Sequence, residues 1–245
     1  MSAAKQPGAR RRPHARRVAA ARPRRAAGGE PIAYRIVPID PHAHLFEVTL
    51  TIAQPDPDGQ RVALPAWIPG SYMIREFARQ VVSIEARGGA RVVRLRKVDK
   101  HSWQAARCDG PLVLRYRVYA WDLSVRAAHL DATHGFFNGT SVFLRVLGQE
   151  DRPCEVWIEP PPGEAWADWR VATTLPEAGA RRHGFGRYRA NGYDELVDHP
   201  VEMGRFKLSA FEAGGARHEI AITGRHDADT VRLGRDLSRV CAAQI

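Results

Sequence analysis

The chain has 245 residues, of which 44% are hydrophobic, and this is enough for one large domain or two modest ones with a sizeable core. Its three cysteines, Cys108, Cys154 and Cys241, are odd in number and far apart, which argues against a disulfide framework or a zinc knuckle. The sequence contains no glycine-rich phosphate loop, so nucleotide binding has no support.

Most of the net charge of +10 lies in residues 1–30. This segment holds nine basic residues and one acidic residue, a net +8, which leaves +2 for the remaining 215 residues. This segment is rich in Arg, Ala, Pro and Gly and has little apolar surface, so we predict that it is a disordered basic tail. The near-neutral remainder predicts no specific nucleic-acid partner.

The same segment predicts neither an export signal nor a membrane anchor. A secretory signal needs an apolar stretch of about 7–15 residues after its basic region. The longest such stretch here is residues 18–21. With no sign of disulfides either, we expect a cytoplasmic location.

Residues 31–225 are predicted to form one mainly β domain. Apolar and polar side chains alternate between Phe46 and Ile52, which is typical of a strand with one buried face. With turn residues between the segments, the same pattern recurs at residues 81–86, 92–98, 112–118, 206–210 and 216–223. We expect an antiparallel β-sandwich or a saddle-shaped sheet. The irregular residues 160–192 are predicted to be a long excursion over the surface.

Residues 226–245 change from a strand period to a helix period. Their apolar positions at i, i+4, i+7 and i+8 predict a helix in which Asp227 is the cap and Asp229 lies in the first turn. Leu233, Leu237, Val240 and Cys241 form an apolar stripe on this helix. Little apolar surface remains in the rest of the sequence for the stripe to pack against.

The sequence lacks the H-E-x-x-H motif of zinc peptidases, which places two metal ligands on one helix face. Residues 218–222 come nearest, but Ile222 stands where the second histidine is needed, and their alternation predicts a strand. His42 and His44 lack a third ligand at suitable spacing. We therefore expect no catalytic residue and no metal ligand in this chain.

Four segments carry a family resemblance. Residues 65–77 read PAWIPGSYMIREF, residues 193–202 read YDELVDHPVE, and between them lie residues 119–126 and 135–141. Taken in chain order, the four segments resemble the N-terminal domain of the glycyl aminopeptidases, metallopeptidase family 61. We refer to them as blocks one to four in chain order.

The resemblance implies what the longer protein does. Members remove N-terminal Gly or Ala from peptides with one zinc ion, held by a thermolysin-like catalytic domain that is commonly followed by a PDZ domain. Residues 226–245 would be the first helix of that catalytic domain, so the chain is expected to be truncated before the zinc motif.

Block one has a structural and a functional interpretation. In the first, the turn at Pro69 and Gly70 locks two sheet segments, with Trp67, Tyr72 and Phe77 buried around it. In the second, this loop borders the cleft that faces the catalytic domain. Arg75, which would hold a carboxylate, and Tyr72 are then candidate substrate-binding residues.

Block four places four carboxylates close together in sequence. Asp194, Glu195, Asp198 and Glu202 form either an exposed acidic turn or part of a binding site. An aminopeptidase needs an anionic or polar group near the cationic α-amino group of its substrate. By analogy with related aminopeptidases, Glu202 is the candidate for that role.

Three functions remain open from the sequence. The first is a non-catalytic domain, inactive alone, whose partners are the catalytic domain of the same protein and, in the longer protein, a peptide substrate. The second is a free-standing β-sandwich module that binds peptide or glycan. The third is a nucleic-acid binder that acts through the basic tail. The contact surface of the free-standing module would include Trp121, Trp157, Trp166 or Trp169.

Overall fold

A computed structural model describes residues 29–68, 70–71 and 73–244. The predicted tail, except for its last two residues, and the candidate Tyr72 lie outside this range. Seventeen strands and two α-helices are found among the described residues. In chain order they are β1 (Ile32–Asp40), β2 (Leu45–Ile52), β3 (Arg61–Ala63), β4 (Val81–Gly88), β5 (Arg91–Val93), β6 (Leu95–Lys97), β7 (Ser102–Ala105), β8 (Leu112–Tyr119), β9 (Ala128–Leu130), β10 (His134–Phe137), β11 (Arg145–Val146), β12 (Cys154–Ile158), β13 (Arg170–Thr173), β14 (Gly186–Ala190), α1 (Tyr193–Asp198), β15 (Val201–Gly204), β16 (Phe206–Ala213), β17 (Ala216–Thr223) and α2 (Thr230–Gln244).

These strands form three sheets and a hairpin, which confirms the mainly β fold. The largest sheet has seven strands in the order β14-β12-β1-β2-β8-β4-β5. Two four-stranded sheets have the orders β13-β15-β10-β9 and β11-β3-β7-β6, and β16 pairs with β17. One pairing departs from the predicted antiparallel arrangement: β1 and β12 are parallel. Their long separation in sequence supplies the crossover that a parallel pair needs.

The core lies on one face of the seven-stranded sheet. The apolar residues predicted to alternate in β2 and β8, from Phe46 to Ile52 and from Leu112 to Val118, are almost completely buried. The ring of Phe46 meets that of Phe137, on β10 of a four-stranded sheet, edge to face at 5.7 Å. The two sheets therefore share a core, as the sandwich prediction requires.

Two segments differ from their predicted structure. Residues 160–192 are not a surface excursion, because they contain β13 and the edge strand β14, and Trp169 and Tyr188 are buried. Arginines flank Tyr188 on β14 and obscure the apolar face. Residues 92–98 form two strands instead of one. The chain leaves the large sheet at Arg94 and continues as β6 of a four-stranded sheet.

The predicted terminal helix is confirmed as α2, with a different cap. Oδ1 of Asp229 accepts hydrogen bonds from the backbone N–H groups of Val231 (3.1 Å) and Arg232 (3.0 Å), so Asp229 takes the role expected of Asp227. The helix packs on β16, where Ser238 Oγ donates to the carbonyl of Glu212 at 2.7 Å. Part of the apolar stripe is covered there, but Val240 remains exposed. Neither described helix is long and apolar enough to cross a bilayer.

The other face of the large sheet carries a buried carboxylate between two arginines. Glu47 on β2, whose side chain is only 5% exposed, pairs with Arg115 at 2.7 Å and with Arg117 at 3.2 Å, both on β8. Burial tends to raise the pKa of Glu47, but its hydrogen bonds to the two arginines outweigh burial and hold the pKa below its ordinary value of 4.5.

We predict that Glu47→Gln destabilises the fold by about 1.5–3 kcal/mol at neutral pH, the contribution of hydrogen bonds to a charged group. Because the folded pKa is lowered, this contribution is complete above pH 4.5 and is lost as the pH falls through the folded pKa. Urea denaturation at about pH 7 and about pH 3 measures both values.

The control is Glu164→Gln, which alters an exposed carboxylate away from the two arginines and should change stability by no more than about 0.5 kcal/mol. A Glu47→Gln effect that does not shrink in acid would show that the ion pair is not its cause.

Candidate functional site

A short 3₁₀ turn, Gly139–Ser141, forms the centre of the region where the four blocks meet. Asn138 caps the turn: its Oδ1 accepts hydrogen bonds from Thr140 N (3.1 Å) and Thr140 Oγ1 (2.5 Å). Ser141 Oγ donates to the carbonyl of Asn138 at 2.7 Å. All three residues of the turn are buried, so block three has a fixed position in the domain.

Three tyrosine hydroxyls hold the buried segment 142–144 that follows this turn. Tyr34 on β1, Tyr116 on β8 and Tyr193 at the start of α1 each donate to a backbone carbonyl at 2.8 Å; the acceptors are Leu144, Val142 and Phe143, respectively. Tyr116 also accepts a hydrogen bond from Leu144 N at 3.1 Å. Burial raises the pKa of each of these phenols well above its ordinary value, so all three stay protonated donors.

Block four packs directly against block three at Gly139. A Cβ atom at this position would lie 2.8 Å from the Cα of Val197 on α1, so only glycine permits this approach. Glu195 fixes the start of α1 by accepting hydrogen bonds from N and Nδ2 of Asn191, at 2.9 Å and 2.7 Å. Asp194 and Asp198 are exposed on the helix.

Block one forms a loop beside the same turn. Gly70 has a φ of +76° and Ser71 N donates to the carbonyl of Ile68 at 3.2 Å, which confirms the predicted turn. Phe77 is buried as predicted, but Trp67 is 56% exposed, so its predicted burial is wrong. Tyr72 is outside the described residues. Arg75 donates to Ser71 Oγ at 3.3 Å.

Two cavities adjoin the turn. One, of about 930 Å³, is lined by residues of blocks one, three and four, among them Trp67, Asn138, Asp194, Glu195 and Asp198. The other, of about 300 Å³, is lined by residues of blocks one, two and three, among them Ile74, Arg75, Tyr119, Asp122 and Ser141. The structure thus brings residues of all four blocks together around this turn.

Glu202 lies apart from the other candidates. It projects from the outer face of the sheet β13-β15-β10-β9, accepts a hydrogen bond from Thr223 Oγ1 at 2.6 Å and lies 3.1 Å from Nδ1 of His134. The hydrogen bond to Glu202 raises the pKa of His134 above its ordinary value. Arg75 and Glu202 line different cavities, and Glu202 is separated from the carboxylates of α1.

Blocks one and two contain a group of exposed apolar side chains, and of these the sequence analysis named only Trp121 as a candidate contact residue. Each of these residues is between 53% and 72% exposed, although large apolar side chains are usually buried; they are Trp67, Met73, Ile74, Trp121, Leu123 and Val125. The only signal in the sequence is that Leu123 and Val125 alternate with polar residues in a segment too short for a core strand. The periodicity does not predict which face such a segment presents to solvent.

The residues nearest to a zinc-peptidase motif do not fit a catalytic zinc ion. His218 and Glu219 lie on β17, which confirms the predicted strand. The ring of His218 stacks on Phe211 at 4.8 Å, and Glu219 forms ion pairs with Arg182 and Arg217. A strand directs adjacent side chains to opposite faces, so this pair cannot act together on one metal ion.

These features define a mainly β domain without a catalytic zinc motif. Residues 33–205 match the family model of the Peptidase M61 N-terminal domain, and the chain belongs to this family. A solved structure from Idiomarina loihiensis, described as an aminopeptidase N family protein, is 44% identical with a TM-score of 0.84. The match covers 87% of this chain and 36% of that chain, so this chain spans about a third of the relative's length. A comparison with curated proteins gave no match.

We predict that Tyr116→Phe destabilises the domain by about 1–3 kcal/mol, because it leaves the buried Val142 carbonyl and Leu144 N–H without their partner. Urea unfolding of the purified chain measures this loss. Tyr119→Phe, at the exposed end of the same strand, is the matched control and should change stability by less than about 0.5 kcal/mol. Equal effects of the two changes would contradict a role for the hydroxyl in holding the segment.

Proposed function

We propose that this chain is the non-catalytic N-terminal domain of a zinc-dependent glycyl aminopeptidase. In the longer protein, which we propose acts in the cytoplasm, the catalytic domain removes N-terminal Gly or Ala from peptides with one zinc ion. The present domain provides the surface on which the catalytic domain docks, and it also borders the substrate cleft. The observation that carries this proposal is that residues of the four blocks meet around one turn, with exposed apolar side chains in blocks one and two.

The exposed apolar residues support a macromolecular partner on this surface. Burying one large apolar side chain contributes about 1.5–3 kcal/mol, so leaving several in water is unfavourable unless a partner covers them. The relative from Idiomarina loihiensis is nearly three times as long as the part that matches this chain. We therefore propose a domain of the same protein as the partner.

The tryptophans give little support to a free-standing peptide- or glycan-binding module. Trp169 is buried, Trp166 Nε1 donates to the carbonyl of Ala132 at 3.2 Å, and the guanidinium of Arg187 lies 5.7 Å from the ring centre of Trp157. Trp121 is exposed, but its ring contacts those of His44 and His129. These four side chains do not form one open aromatic surface.

Arg75 and Glu202 are the described residues that we propose for contact with the peptide. Arg75 lines a cavity formed by blocks one to three and has a hydroxyl as its side-chain partner, which leaves its charge available to a carboxylate. Glu202 would receive the substrate ammonium only by exchanging its present partners, His134 and Thr223.

We predict that the purified chain does not hydrolyse Gly- or Ala-p-nitroanilide, with or without added zinc, because it lacks the paired histidines and glutamate of the peptidase motif. Release of p-nitroaniline measured by absorbance tests this. Turnover that is proportional to chain concentration and survives repurification would refute the assignment as a non-catalytic domain.

A second prediction concerns docking. In the longer protein, the double substitution Leu123→Asp and Val125→Asp should lower kcat/KM for Gly-p-nitroanilide by about tenfold or more, since charges would be buried against the catalytic domain. In the isolated chain, where both side chains are exposed, the same change should alter unfolding free energy by no more than about 0.5 kcal/mol.

The matched control for docking is Val92→Asp, which alters an equally exposed valine on β5, outside the four blocks. It should leave kcat/KM unchanged. If Val92→Asp and the double substitution reduce kcat/KM equally, the surface of blocks one and two is not the docking surface.

A further inference from the structure

The outer face of the sheet β13-β15-β10-β9 carries a row of chemically active side chains. Phe136 on β10 pairs in register with His129 on β9 and with Glu202 on β15, which places all three on one face. His134 lies two residues before Phe136 and therefore points the same way. Asp131 lies in the turn that joins β9 to β10.

We propose that His129, Asp131 and His134 form a binding site for a divalent transition-metal ion, with zinc as the best candidate. Each residue offers one ligand atom, and these three atoms lie within 4.8 Å of one another. No other trio of His, Cys, Asp and Glu side chains in the described residues is grouped so closely. Two imidazoles and one carboxylate are a ligand set that zinc accepts readily.

The carboxylate of Asp131 is held in place by its own turn. Its Oδ1 accepts hydrogen bonds from Thr133 N and Thr133 Oγ1, both at 2.6 Å, and from His134 N at 3.0 Å. Oδ2 is directed elsewhere and lies 3.2 Å from Nε2 of His129. This separation is close to the roughly 3.3 Å that tetrahedral bonds of about 2.0 Å impose between two zinc ligands.

The ring of His134 is oriented by a second carboxylate. Its Nδ1 lies 3.1 Å from Oε1 of Glu202, which also accepts the hydroxyl of Thr223 at 2.6 Å. This arrangement leaves Nε2 of His134 for a metal ion, as in the carboxylate–histidine pairs that commonly support metal sites. Glu202 is thus a positioning residue for this site.

The burial of His129 is an independent observation in favour of the metal site. Its side chain is only 7% exposed, and its Nδ1 has no hydrogen-bond partner in the described part of the chain. Buried imidazole nitrogens usually have a partner, but here only Nε2 has one, the carboxylate of Asp131, so hydrogen bonding among the described residues satisfies one of the two ring nitrogens. The ring centre of His129 lies 4.9 Å from that of His134 and 4.9 Å from that of the exposed Trp121.

The proposed site differs from the expectation that this chain holds no metal ligand. It is also separate from the peptidase zinc, because it uses no H-E-x-x-H helix and lies on the β domain. The spacing of His129, Asp131 and His134 gives no standard motif, and only the hairpin of β9 and β10 brings them together. His134 and Asp131 remain partly exposed, so a metal ion here has an accessible side for a further ligand.

The test uses the 245-residue chain, dialysed against a chelator and then titrated with Zn²⁺ by calorimetry and with Co²⁺ by visible absorption. We expect one equivalent of zinc to bind. Asp131→Asn keeps an Oδ1 acceptor for the turn and removes the charge, and His134→Gln removes a ligand. Each should weaken zinc binding by about tenfold or more, and Glu202→Gln should weaken it by about tenfold.

The matched control is His101→Gln. His101 lies 3.7 Å from Asp99 in a histidine–aspartate pair that is not part of the trio, so its replacement should leave zinc affinity unchanged. Circular dichroism confirms that each variant is folded. Failure of the unmodified chain to bind one equivalent of zinc would overturn the proposal, as would equal affinity in the folded Asp131→Asn, His134→Gln and His101→Gln variants. Neither result bears on docking, because no catalytic domain is present.

Discussion

The rest of the domain depends on the hydrogen bonds that three tyrosine hydroxyls donate to the backbone carbonyls of residues 142–144. The three side chains come from β1, β8 and α1, so one short segment connects two strands of the large sheet with the helix of block four. A buried phenol that donates to a buried carbonyl satisfies two groups at once, and water cannot replace it without entering the core. The capped turn at Asn138 is therefore held from one side by the core and from the other by α1.

The sequence predicted those parts of the fold in which one face is apolar and the other is polar. β2 and β8 are of this kind, and α2 was predicted from its helical period. β13 has only four residues, and on β14 arginines flank Tyr188 and glycines interrupt the pattern, so neither strand was predicted. The break at Arg94 depends on a change of sheet, which no local pattern records.

The site was less predictable than the fold. Family resemblance identified the four blocks, but their convergence depends on the close contact at Gly139 and on long-range tyrosine bonds. Trp67 was expected to be buried because aromatic residues usually are, whereas here it faces outward. Grouping Glu202 with the carboxylates of α1 followed from their nearness in sequence, and the strand β15 carries it to another face.

The parallel pairing of β1 with β12 has a consequence for how this domain folds as it is synthesised. β1 lies inside the large sheet, yet one of its two neighbours is more than a hundred residues further along the chain. Contacts between such distant residues slow folding, because a long loop must close before they form. During translation, the edge of β1 that receives β12 therefore stays unpaired until that strand has left the ribosome, and in this interval the nascent chain needs protection against strand pairing with other chains.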